Sequence, residues 1–177
     1  MVMKVLIVYG STEGQTRKIA RFLKEETEKL GHIVSLSDST DNPTPSADGY
    51  DLVLIGASVH MHKYQAAVVH FIKNNVEALN KKPSGFFSVS MAAASGDAES
   101  RKELDETTTA FLHETGWHPI HIELAAGALL YTQYDFFKKL IMRLIAKRHG
   151  ETTDASTDHE YTDWSKLKLF LEKMLKV

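Results

Sequence analysis

Short apolar runs alternate with stretches of helical periodicity through most of the chain, and no other feature narrows its fold so far. Leu52-Val53-Leu54-Ile55 has no polar position on either side of the pleat, as expected of a strand in a parallel sheet covered on both faces. Residues 4–9, 33–36, 85–89 and 120–124 read as further strands. Between the strands, 16–30 sets Ile19, Ala20, Leu23 and Leu30 near helical spacing before Gly31 supplies a stop. Residues 66–79 align Val69, Ile72, Val76 and Leu79 on one helical face, and 101–114 reads as a third helix. A cluster of Asp, Asn, Pro and Ser over 37–48 is loop, and Thr162 is the expected cap of a last helix over 163–175. Strands alternating with helices demand right-handed crossovers, hence an α/β doubly wound parallel sheet. At 177 residues and 43% hydrophobic, the chain suits a single domain, 1–177, with a sizeable core.

The first strand breaks at Gly10-Ser11-Thr12-Glu13-Gly14-Gln15-Thr16 into glycine and hydroxyl residues before helical periodicity begins. Glycine lets backbone come close to an anion, and the free N–H groups of a helix start point at that anion along the favourable end of the dipole. Ser11, Thr12 and Thr16 add hydroxyl donors. No Lys follows Gly14, so the P-loop cation is missing, and no G-x-G-x-x-G supports a dinucleotide. What remains is a phosphate monoester held without Lys or Arg; a ligand-free turn between strand and helix is the plain structural alternative.

Here the chain resembles the flavodoxin family, whose first loop binds the FMN phosphate through an aromatic-x-Ser/Thr-x-x-Gly-x-Thr pattern. Tyr9, Ser11, Gly14 and Thr16 match it, while Glu13 stands where many members carry a hydroxyl, so its carboxylate is expected to turn from the phosphate. The resemblance implies a five-stranded sheet in the order 2-1-3-4-5, for which flavodoxin is itself the reference case, with FMN at the switch between the first and third strands. It places cofactor contacts at Ser11, Thr12, Glu13, Gly14, Gln15 and Thr16, then at Ala57, Ser58, Val59, His60, Met61 and Tyr64 after the third strand. Ser90, Met91, Ala92 and Ala93 follow the fourth, and Ser88 adds a hydroxyl to the same stretch. Met61 and Tyr64 are expected against the flavin faces and His60 at its edge. The small residues of 125–131 offer close approach to an exposed flavin edge or simply a packed strand end. His60 and His62 are two imidazoles with no third metal ligand in view, so no metal is expected.

Composition limits the chemistry further. With no Cys there is no disulfide and no cysteine-ligated iron–sulfur centre, so redox work falls to a bound cofactor. A net charge of −2 gives no global attraction to nucleic acid, and Met1 leads directly towards the first strand without a signal peptide, which points to the cytoplasm. No Ser-His-Asp order or paired carboxylates mark a hydrolase, and no catalytic acid or base stands out.

About 130–160 forms an insert near the last strand that a minimal flavodoxin does not need. Within it, 134–149 sets Phe136, Phe137, Leu140, Ile141, Leu144 and Ile145 on one helical face, with Lys138, Lys139, Arg143, Lys147 and Arg148 largely on the other. Such a helix either packs on protein, in this domain or a homo-oligomer, or lies on an anionic membrane surface. The insert and Tyr161-Thr162-Asp163-Trp164 make the chain resemble, almost end to end, the flavodoxin-like menaquinone-dependent protoporphyrinogen IX dehydrogenases of haem synthesis. That resemblance implies oxidation of a porphyrinogen by FMN, electron transfer to a membrane quinone, and attachment to the inner face of the cell membrane. The alternatives are a flavodoxin-type electron carrier and an FMN-binding quinone-reducing module. Near-neutral charge disfavours the carrier, which needs an acidic docking face.

Overall fold

β1 (Lys4–Gly10) is buried on both faces beyond Lys4, and its alternating side chains divide between two cores. Val5, Ile7 and Tyr9 belong to one cluster, Leu6 and Val8 to the other. β3 (Leu52–Ser58) repeats the division, Leu52 and Leu54 against Val53, Ile55 and Ala57. Two-sided burial is why these strands read as unbroken apolar runs rather than as alternating ones. The structure is a computed structural model, and it describes residues 1–129 and 159–177. The expected amphipathic helix over 134–149 and most of the insert lie outside the described residues.

Five parallel strands run in the order β2-β1-β3-β4-β5, with β2 at Ile33–Asp38, β4 at Ser84–Ser90 and β5 at His121–Ala126. On one face α1 (Gln15–Lys29) and α5 (Trp164–Leu175) contribute Ile19, Leu23, Leu167, Phe170 and Met174 to the first core. On the other, α2 (Ala66–Lys81) and α4 (Ala98–Thr115) bring Val68, Phe71, Ile72 and Phe111 against Phe86 and Trp117. Fully burying one such side chain is worth about 1.5–3 kcal/mol. A short α3 (Ala92–Ser95) precedes α4, and β6 (Ala128–Leu129) pairs antiparallel with β7 (His159–Glu160).

The structure moves the expected starts of α4 and α5. α4 begins at Ala98 rather than 101, because Asp97 accepts a hydrogen bond from Ser100 N and serves as its cap. The cap of α5 is Asp163, whose Oδ1 accepts from Ser165 N and Lys166 N at 3.1 Å, and not Thr162, whose hydroxyl donates to Ala126 O at 2.8 Å.

Candidate functional site

Register carries β1, β3, β4 and β5 to one edge of the sheet, pairing Gly10 with Ala57, Ser58 with Val89 and Ser90 with Ala126. The segments leaving those strands enclose a cavity of about 410 Å³ at the switch point between β1 and β3, within the ~300–1,000 Å³ of small-molecule sites. Its walls include Glu13, Gln15 and Thr16, then Ser58, Val59, His60, Met61 and His62, then Val89, Ser90, Met91 and Ala92. Gly127 and Ala128 line it from the end of β5.

Local backbone explains how each segment reaches the cavity. Gly14, at φ +96°, makes the left-handed step that starts α1, and its N–H donates to Ser11 Oγ at 2.9 Å. A Cβ on Gly10 would sit 2.5 Å from Val68 Cγ2, so the turn can lie against α2 only with glycine there. After β3, His60 and Lys63 exchange backbone hydrogen bonds around Met61 and His62, both at positive φ. That tight hairpin leaves Met61 74% exposed at the cavity.

Other expected contacts stand behind the wall. Ser11 and Thr12 are not in it; Thr12 Oγ1 accepts from Gln65 Nε2 at 3.1 Å. Gly14 and Ala93 also lie outside it, and Ala57 is fully buried in the second core. Tyr64 needs correction as a side chain against the flavin: it is turned into the core, beside Phe86 and Phe111. Its hydroxyl shares hydrogen bonds with Ser88 at 2.8 Å and Thr108 at 2.9 Å, which also draws the Ser88 hydroxyl inward. Burial pushes the Tyr64 phenol pKa up, with those two bonds opposing.

Ser100, Glu103, Leu104 and Thr107 of α4 line the cavity without having been expected there. Asp97 three residues before Ser100 is the capping signal that would have extended α4 towards the site. Gln65, also unforeseen, donates to Ser58 Oγ as well as Thr12 Oγ1 and so ties the first loop to the end of β3.

Two features bear on what the cavity holds. Thr16, 1% exposed, buries its Oγ1 in the first turn of α1 without a hydrogen-bond partner among the described residues. Such burial costs roughly 1–3 kcal/mol unless a ligand supplies the bond. An anion at this helix start would meet the hydroxyl together with the N–H groups that the first turn of a helix leaves without intrahelical partners. Glu13 is the second feature: burial raises its carboxyl pKa, opposed by His60, whose Nδ1 lies 3.6 Å from Glu13 Oε1, and by a backbone hydrogen bond. Among the described residues no group of three or more His, Cys, Asp or Glu is placed to hold a metal ion.

Fold and cavity together define a flavodoxin-type protein, and the family model of the flavodoxin domain matches residues 6–156. A short-chain flavodoxin associated with a bacterial microcompartment superimposes with a TM-score of 0.57 at 15% identity, over 99% of this chain and 98% of that one. A Pseudomonas aeruginosa flavodoxin gives 0.52 at 18% identity, over 82% and 95%; at these identities the likeness speaks for the fold alone. Protoporphyrinogen IX dehydrogenase (quinone) of Escherichia coli K12 is 32% identical over 172 residues, 97% of this chain and 94% of that protein. The Leishmania major protein of the same name is 34% identical over 171 residues, 94% of this chain and 72% of that protein. The chain belongs to the flavodoxin-like protoporphyrinogen IX dehydrogenase family.

Proposed function

We propose that this chain is an FMN-dependent enzyme that oxidises protoporphyrinogen IX to protoporphyrin IX and passes the electrons to a membrane quinone. The observation that carries the activity is the nearly end-to-end match to relatives bearing that name. For the cofactor, the support is the buried, unpartnered Thr16 hydroxyl at a helix start that opens into the cavity. A terminal phosphate suits this turn better than a pyrophosphate, whose glycine fingerprint is missing.

Thr16 Oγ1 and the N–H groups of the turn would hold the phosphate, with Ser11 keeping Gly14 in place through its hydrogen bond. Ser58, Val59, His60 and Met61 from one side, and Ser90, Met91 and Ala92 from the other, would form the seat of the ring. FMN, when bound, supplies the two-electron chemistry, which the side chains of a Cys-free protein lack. The protein's part is to bind, orient and shield. Glu13, whose carboxyl burial draws towards its protonated form, is the wall group able to hold a proton, at an Oε1 3.6 Å from His60 Nδ1.

The porphyrinogen macrocycle, its propionates aside, and the quinone tail are largely apolar, which favours work at the bilayer surface. We assign attachment there to the basic amphipathic segment 134–149, each cation adding about 1 kcal/mol near anionic lipid. Among the described residues no helix is long and apolar enough to cross a membrane.

The test is anaerobic incubation of the purified, FMN-loaded protein with protoporphyrinogen IX and a soluble quinone, followed by porphyrin fluorescence. Porphyrin should form only with protein and quinone both present. A flavin-loaded protein that forms none above the protein-free rate would leave an electron carrier as the better account.

A further inference from the structure

Thr162, Trp164 and the β7 residue Glu160 stand outside the cavity wall, yet they grip α1, the helix that begins there. Thr162 Oγ1 donates to Ala126 O and accepts from Gln15 Nε2, both at 2.8 Å. Tyr161 N donates to Gly127 O at 3.1 Å. Glu160 accepts from Trp164 Nε1 through Oε1 at 2.8 Å and from Lys18 Nζ through Oε2. The Trp164 ring meets Phe22 edge-on at 4.9 Å and has Lys18 Nζ 5.4 Å from its centroid.

The chain arriving at residue 159 is thus fastened both to the end of β5 and to the first turn of α1. Gln15 is the first residue of α1 and a cavity wall residue; the unpartnered Thr16 hydroxyl comes next. An anion seat made of N–H groups and one hydroxyl works only while that turn keeps its tilt, because hydrogen bonds weaken steeply with angle.

We propose that Thr162, seconded by Glu160, is a positioning residue: it fixes the first turn of α1 through Gln15 and Lys18 and thereby sets the affinity for the cofactor phosphate. The proposal rests on the FMN reading of the cavity. Binding coupled in this way is reciprocal, so the phosphate in turn strengthens the attachment of residues 159–163.

The experiment titrates flavin-free protein with FMN and with riboflavin, which lacks the phosphate, following flavin fluorescence. Thr162→Val keeps the shape and removes the hydroxyl; it should weaken FMN about fivefold to twentyfold, in the range of site-to-site coupling. Riboflavin affinity should shift by less than about twofold, a pattern that general loosening of the fold would not give. Thr162→Ser should restore FMN affinity to within about twofold of the parent. Unchanged FMN affinity in Thr162→Val, equal losses for both flavins, or a serine variant as weak as the valine one would each overturn the proposal. Should Thr162→Val not fold, Glu160→Gln carries the same expectation and the same refutation, since it keeps an acceptor for Trp164 while discharging the Lys18 pair. A parent chain that binds neither flavin would defeat the FMN reading and this proposal with it; a parent that binds FMN beside an unaffected variant defeats this proposal alone.

Discussion

At the scale of single residues, Thr16 and Glu13 make opposite demands on the proposed phosphate seat. Among the described residues Thr16 Oγ1 is buried without a partner, so replacing the hydroxyl while keeping the side chain's shape deprives the ligand of a bond and costs the flavin-free fold no hydrogen bond. Thr16→Val, which keeps the shape and removes only the hydroxyl, should weaken FMN by roughly 1.5–3 kcal/mol, as for a charge-assisted hydrogen bond. The melting temperature of the flavin-free protein should stay near the parent value; a large fall without gain or loss in FMN affinity would mark Thr16 as a core residue only. Glu13 puts a carboxylate in the same wall, with a pKa raised above its usual 4.5, mainly by burial. A carboxyl whose folded pKa is raised favours the folded state fully below its unfolded pKa and loses that contribution as pH rises through the folded value. Glu13→Gln should therefore stabilise the protein at neutral pH, with the gain fading as pH falls towards 4.5. Thermal melts of parent and variant from pH 4 to 8 read this, and a gain that grows on acidification would contradict it. Tyr64 and Met61 show what sequence alone could not tell at this scale. Both types suit a flavin face, but the hairpin at positive φ exposes Met61 and turns the Tyr64 ring to Phe86.

At the scale of elements, β1 and β3 are legible because two-sided burial makes 5–8 and 52–55 continuous apolar runs. Their closeness is less visible. A Cβ on Gly56 would sit 2.0 Å from the Phe87 ring of the neighbouring strand, so the aromatic ring occupies the space a side chain would need. Gly56→Ala should cost at least about 3 kcal/mol, beyond ordinary overpacking because the strands cannot part without losing their ladder. Urea unfolding measures it, and a change under 1 kcal/mol would mean that Phe87 swings aside freely. The last helix shows a different limit. Thr162 and Asp163 are adjacent and both suit a cap, and choosing between them needs the Ala126 carbonyl, which takes the threonine hydroxyl.

At the scale of the whole molecule, the charge pattern of 134–149 bears on where the protein works. Reversing Lys138, Lys139 and Arg143 to Glu should abolish most co-sedimentation with anionic vesicles, since attraction of about 1 kcal/mol per cation becomes repulsion. Raising salt should weaken binding of the parent in the same way, while FMN content stays unchanged in both. Equal, salt-insensitive sedimentation of the two proteins, or none of either, would mean that the segment packs against protein instead. The succession of strands and helices along the chain, and the glycine and hydroxyl turn between β1 and α1, can be read from the residues alone, because burial period, glycine position and hydroxyl spacing are local properties. Which residues share the cavity depends on packing between elements far apart in the chain. Ser100 and Thr107 come to it through the packing of α4, Tyr64 leaves it for a hydrogen-bonded place in the core, and Thr162 reaches across 147 positions to Gln15. Contacts at such separations depend on how helices settle on a twisted sheet, and no local pattern in the chain encodes that.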